Sequence, residues 1–140
     1  MYYTKYSIIA IAVLAATIAT AVLDTTNNDH PIIGTWEMVS ITYNGTQLDA
    51  LDFLIGTREV YNADGTGFSF YPDYPDDEFP FRWKIEGDSF FHIDEFTPGD
   101  DWPEWGLILD ISGSIMTQRT DPNNPDSPGS ELIFTLTRVN

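Results

Sequence analysis

No cysteine occurs in the 140 residues, so no disulfide, thiolate metal site or cysteine nucleophile can form. Anchoring of the bacterial lipoprotein kind, which needs a cysteine at the cleavage point, is excluded with it. Basic residues are nearly as scarce: six Lys and Arg stand against 22 Asp and Glu, a net charge of −16. Such a surface repels nucleic acid and anionic membranes, favours cations or cationic partners, and keeps a folded chain in solution. Phosphate loops, the HExxH zinc motif and the nucleophile elbow are missing too. So are fixed-period repeats and any alternation of strands with helices. What is there is 42% hydrophobic residues, with 14% aromatics, enough to pack one core rather than leave the chain disordered.

All the acids lie from Asp24 onward, and Lys5 is the only basic residue before Arg58. Ahead of them, Ile8 to Leu23 is apolar except for Thr17 and Thr20. With Lys5 as a weak positive start and Ala19-Thr20-Ala21 as a small-x-small pattern, residues 1–21 read as a secretory signal cut after Ala21. An uncleaved anchor is the alternative, although the apolar run falls short of the roughly 20 residues that span a bilayer comfortably. Residues 22–31 read as a polar linker and 32–140 as the exported domain. The expected location is periplasmic, secreted or cell-surface, with membrane contact only through an uncleaved N-terminal segment.

From Ile32 the chain alternates apolar and polar residues, with turn signals about every ten residues, the pattern of an all-β barrel or sandwich. The expected strands are Gly34–Tyr43, Thr57–Asn62, Gly67–Tyr71, Phe79–Glu86, Ser89–Asp94, one from Trp105, Ser114–Thr120 and Glu131–Val139. Asn44-Gly45 is a strong type I′ turn pair, and Leu48 to Gly56 is the one place for a short helix, with Leu48, Leu51 and Ile55 approximating a face. Phe79, Phe81, Trp83 and Ile85 alternate cleanly with Pro80, Arg82, Lys84 and Glu86. The adjacent Phe90 and Phe91 leave the buried face of the next strand ambiguous. Pro72–Glu78 and Glu95–Glu104 read as acidic loops, and Asp121–Gly129 as a proline loop. Eight sequential strands with short reversals are most simply an antiparallel up-and-down barrel, with a two-sheet sandwich as the alternative.

Gly34-Thr35-Trp36, then Tyr61-Asn62-Ala63-Asp64-Gly65-Thr66-Gly67, then Phe81-Arg82-Trp83-Lys84-Ile85-Glu86-Gly87-Asp88 occur in order. Leu109-Asp110-Ile111-Ser112-Gly113 and Phe134-Thr135-Leu136-Thr137-Arg138-Val139 follow them. In that order and spacing the segments resemble the lipocalin-like domains of exported bacterial proteins, over Ile33 to Val139. The resemblance implies an eight-stranded barrel closed at the end that holds Gly34 and Trp36, with Arg138 packed over the Trp36 ring. In many relatives it also implies a small apolar ligand in the cup, although this domain is shorter than typical lipocalins.

An eight-stranded barrel is wide enough either to be filled by side chains or to hold one small ligand. The rings expected inside, Phe68, Phe70, Phe79, Phe81, Trp83, Trp105 and Phe134, are numerous enough to favour filling. Phe68, Phe70, Tyr71, Phe81, Trp83, Trp102 and Trp105 are the candidate ligand-binding residues. Tyr71, Tyr74, Trp102 and Trp105 sit in or beside acidic loops, where they could contact a sugar or a cationic peptide or simply cap the mouth. The acid clusters at Asp73–Glu78, Asp94–Glu104 and Asp121–Asp126 lack the spacing of a calcium loop, so no metal and no cofactor is expected. His92 shares a strand face with Asp94, so acid–base chemistry is geometrically allowed, but nothing else supports an enzyme; His30 falls in the linker. The expected role is non-catalytic binding of a small apolar or amphipathic molecule at the open end. The alternative is a surface module whose acidic, aromatic loops contact a protein or glycan.

Overall fold

Turn chemistry divides the chain into strands, and the strands then meet end to end around a ring. The computed structural model describes residues 29–99 and 101–139; the expected signal and most of the linker lie outside the described residues. β1 (Gly34–Tyr43) turns through Asn44 and Gly45, whose φ values of 50° and 86° are those a type I′ turn requires, into the two-residue β2 (Thr46–Gln47). A 3₁₀ helix (Asp49–Leu54) follows. Then come β3 (Arg58–Tyr61), β4 (Thr66–Tyr71), β5 (Tyr74–Glu86), β6 (Ser89–Asp94), β7 (Leu107–Ser112), β8 (Ile115–Thr120) and β9 (Leu132–Arg138). The order β1-β3-β4-β5-β6-β7-β8-β9 is antiparallel throughout, and β9 pairs back onto β1. Eight strands therefore close into an up-and-down barrel, with β2 as a short flap on β1. Pairing of β9 onto β1 means that neither the first nor the last long strand is left as an edge for another chain to extend.

The hairpin turns at Asn62–Gly65, Gly87–Asp88 and Gly113–Ser114 lie with Gly34 and Arg138 at one end. That end is filled. Trp36 and Ile32 are fully buried, and the Trp36 indole N–H donates to the Ile32 carbonyl at 2.7 Å. The ring of Trp36 packs in one cluster with Met38, Ile41, Tyr61, Phe81, Trp83, Phe90, Met116 and Leu136. In β1 the alternation changes phase between Met38 and Ser40, where the register against β9 shifts. That bulge lets Trp36, Met38 and Ile41 all face inward.

Two expectations for local structure need correcting. The Pro72–Glu78 stretch is not a separate loop: β5 already begins at Tyr74, opposite Tyr71. Between there and the next rung β4 steps back from Tyr71 to Ser69 while β5 runs on to Phe79, so the acids ride on a bulge of an exposed ribbon. Proline is tolerated at Pro75 because no ladder bond is asked of its nitrogen. In the helix, the side chains packed on the core are Leu48, Leu51 and Leu54, while Ile55 is exposed. A 3₁₀ helix turns every three residues, so a spacing of three replaces the α-helical one.

Phe90 and Phe91 are both buried, against different partners. Phe90 faces inward, its ring 5.9 Å from that of Tyr61. Phe91 faces outward beneath the β6–β7 loop, with the Lys84 ammonium 5.1 Å from its ring and 4.8 Å from that of Trp102. Arg82 fastens this loop to the outside of β5 by donating to the carbonyls of Gly99 and Thr97 at 2.7 and 2.9 Å. The β6–β7 ladder itself has only two paired positions, Ser89 with Ile108 and Phe90 with Leu107. Among the described residues no helix is long and apolar enough to cross a membrane.

Candidate functional site

Above the packed floor, the inward positions change character. Thr57, Glu59, Ser69 and Gln118 stand where rings stand lower down, and their smaller or polar side chains leave a cavity of about 480 Å³ under the open end. The expected filling by rings therefore holds only for the closed half. Phe81, Trp83 and Phe90 occupy that half. Phe79 and Phe134 reach the wall rather than the axis, and Phe68 alternates with Gly67 and Ser69 onto the other face. The volume falls within the range of about 300–1,000 Å³ usual for small-molecule pockets.

The wall is mainly apolar: Met38, Leu54, Phe70, Tyr71, Phe79, Phe90, Leu107 and Phe134. One polar group is set into it. Glu59 and Tyr61, two residues apart on β3, both point inward, and the Tyr61 hydroxyl donates to Glu59 Oε1 at 2.6 Å. Gln118, reaching in from β8, donates its amide to the same hydroxyl at 3.4 Å. The chain of donors thus ends on a carboxylate. Burial pushes the Glu59 carboxyl above its usual range, with the Tyr61 hydrogen bond pulling the other way. Burial, and then the charge of Glu59, raise Tyr61 well above an ordinary phenol. Among the described residues, Glu59 Oε2 and Gln118 Oε1 accept no hydrogen bond.

His92 lines the same cavity. Its ring is open to the lumen yet walled by protein, with Phe81 at 4.4 Å between centroids and Phe90 at 6.1 Å. This apolar setting lowers its pKa, partly offset by the negative charge of Asp94. Asp94 shares the strand face, as expected, but its Oδ1 is taken by the amides of Phe96 and Thr97 and the Thr97 hydroxyl at 2.9–3.2 Å.

Of the candidate ligand-binding residues, Tyr71 lies on the cavity wall, and Phe70, paired with the outward Arg58, borders the cavity from the other strand face. Phe81 and Trp83 lie in the core beneath it. Phe68 packs beside Phe70 at 6.0 Å on the face it shares with Val60 and Pro80. Trp102 covers Lys84 and Arg82 on the outer face of β5, and Trp105 is half-buried in the loop before β7. At the closed end Arg138 lies over Trp36, and a Cβ on Gly34 would come within 2.7 Å of its Nη1. Sequence reasoning missed Glu59, Tyr61 and Gln118. The one available signal was the spacing of Glu59 and Tyr61, which puts a carboxyl and a phenol on one strand face.

A second recess of about 140 Å³ sits at the closed end between His30, Pro31 and the β5–β6 and β7 side chains. There His30 Nδ1 accepts the Ile32 amide at 3.1 Å, which gives that linker residue a part in closing the floor. Among the described residues no three His, Asp or Glu side chains converge as metal ligands would. Set against known proteins, the chain matches no family model, no curated protein and no solved structure.

Proposed function

We propose that the chain is an exported, lipocalin-like carrier that takes one small apolar or amphipathic molecule into the open end of its barrel and catalyses no reaction on it. The observation that carries this reading is the cavity of about 480 Å³, apolar in most of its wall, with a few polar groups gathered deep within. That arrangement lets a wall of rings hold a molecule while hydrogen bonds orient it. The lipocalin-like assignment draws support from the up-and-down barrel and from Arg138 lying over Trp36 at the closed end. Export draws support from the apolar run Ile8–Leu23 ahead of the acidic part. The absence of catalysis draws support from His92, whose ring nitrogens make no hydrogen bond to a described residue that would orient them, and from an Asp94 already committed to its own turn. The experiment is native mass spectrometry of the protein purified from its own host. A reproducible added mass is expected; repeated recovery of the bare chain counts against the carrier.

Exposed aromatics at the open end favour a second reading, in which the rim contacts a protein or glycan. Phe96 is 84% and Tyr74 65% exposed, more than a capped mouth requires. Replacing both with serine separates the readings: a rim contact is lost while uptake into the cup persists.

A further inference from the structure

Around Glu59 the unmet hydrogen-bonding capacity is mostly acceptor. The Tyr61 proton is spent on Glu59, and the Gln118 amide is spent on Tyr61 and, at 3.7 Å, on the Met116 sulfur. What remains free beside Glu59 is acceptor on Glu59 Oε2 and Gln118 Oε1; a neutral His92 ring offers one acceptor nitrogen and one N–H donor, and the Ser69 and Tyr71 hydroxyls on the wall can do either. Among the described residues no Lys or Arg lines the cavity, and the cation next to Glu59 in sequence points elsewhere. Arg58, its neighbour, faces the outside and pairs with Glu37 at 3.2 Å. A buried carboxylate is costly unless a charge and hydrogen bonds answer it, and the protein supplies the hydrogen bond of one phenol.

We propose, resting on the carrier reading above, that the molecule taken into the cup carries a protonated amine whose charge is met by Glu59. The three N–H groups of an ammonium match the free acceptors on Glu59, Gln118 and His92. The rings of Tyr61 and Phe90 also line the cavity, and aromatic surface attracts cations. The hydrocarbon part lies along Phe79 and Phe134 toward the mouth. The same chemistry disfavours an anion, which would meet free acceptors and a net charge of −16, and that charge draws cations to the mouth. Burial lowers the His92 pKa and so favours its neutral ring, which adds no positive charge to compete with the solute's. Burial also favours the uncharged Glu59 carboxyl, and an ammonium beside it shifts the balance back to the carboxylate.

The test uses three probes of equal chain length, octylammonium, octanol and octanoate, titrated calorimetrically into the full-length protein at neutral pH. Octylammonium is expected to bind roughly ten- to a hundredfold tighter than octanol, the range of a hydrogen bond to a charged group, and octanoate weakest. Glu59→Gln, which keeps the shape, is expected to bring octylammonium to within about threefold of octanol while octanol binding is kept. Equal or tighter binding of octanol by the unaltered protein overturns the amine assignment and leaves the carrier standing. So does a Glu59→Gln variant that keeps the preference. Failure of all three probes to bind overturns both. The comparison among probes needs only the unaltered protein, so a variant that does not fold does not decide it.

Discussion

The guanidinium carbon of Arg138 lies 4.3 Å from the centroid of the Trp36 ring, while its amino groups donate to the carbonyls of Ile33 and Pro31. One side chain from the last strand thus clamps the indole of the first and the turn leading into it. Trp36 is fully buried, so Trp36→Ala is expected to cost about 3–5 kcal/mol. Arg138→Lys keeps the charge but loses the planar fork, and a smaller loss of about 1–2 kcal/mol is expected. Urea unfolding of both variants checks the order.

Gly67 allows close contact between β4 and its neighbours. A Cβ there would strike the Val60 carbonyl and the Phe81 ring, and backbone cannot yield as a surface side chain can. Gly67→Ala is expected to destabilise by at least about 1–3 kcal/mol. Gly45→Ala, whose Cβ would meet nothing within 4 Å, tests the contrasting case. Its cost comes from the positive φ alone, on the order of 1 kcal/mol. Thermal melts that reverse this order would remove the close approach from the account.

The titration of Glu59 has a definite sign. Its pKa in the folded protein is raised from the usual 4.5, so the folded state holds the proton over a range where the unfolded chain has released it. Stability from this group is present below pH 4.5 and is lost as pH rises through the raised value. Glu59→Gln removes that loss, and its advantage over the unaltered protein should grow across the same interval. His92 runs the other way. Its pKa is lowered from 6.5, so stability present above that value falls as pH drops through the lowered one. His92→Phe should flatten the acid side. Denaturant midpoints taken through the mildly acid range give both slopes.

Filling the cup tests its use without touching the polar group. Ser69 lines the cavity, so Ser69→Phe places a ring in the lumen. The variant is expected to keep its melting transition and to bind octanol more weakly by about tenfold or more. Undiminished binding would move the site elsewhere.

Much of the barrel was legible because backbone chemistry marked it. Asn44-Gly45, Gly65, Gly87 and Gly113 all take positive φ where the chain reverses, and the alternation through Phe81, Trp83 and Ile85 in β5 names its inner face. Arg138 over Trp36 was expected from a family resemblance, since no local pattern links residues so far apart in sequence. The interior of the site was not legible. In Arg58-Glu59-Val60-Tyr61, hydrophobicity points Val60 inward, yet Glu59 and Tyr61 face the lumen because Tyr61 must reach the core and carries its strand face with it. Nor could alternation sort Phe90 from Phe91, since the Trp102 loop gives the outward ring cover of its own.

The two-rung ladder between β6 and β7 has a kinetic corollary. Few backbone bonds must break there, so that flank parts more readily than the fully zipped remainder of the wall. Phe90, His92 and Leu107 border both the breach and the cup. Amide hydrogen exchange is therefore expected to open along this flank before it opens around the Trp36 floor.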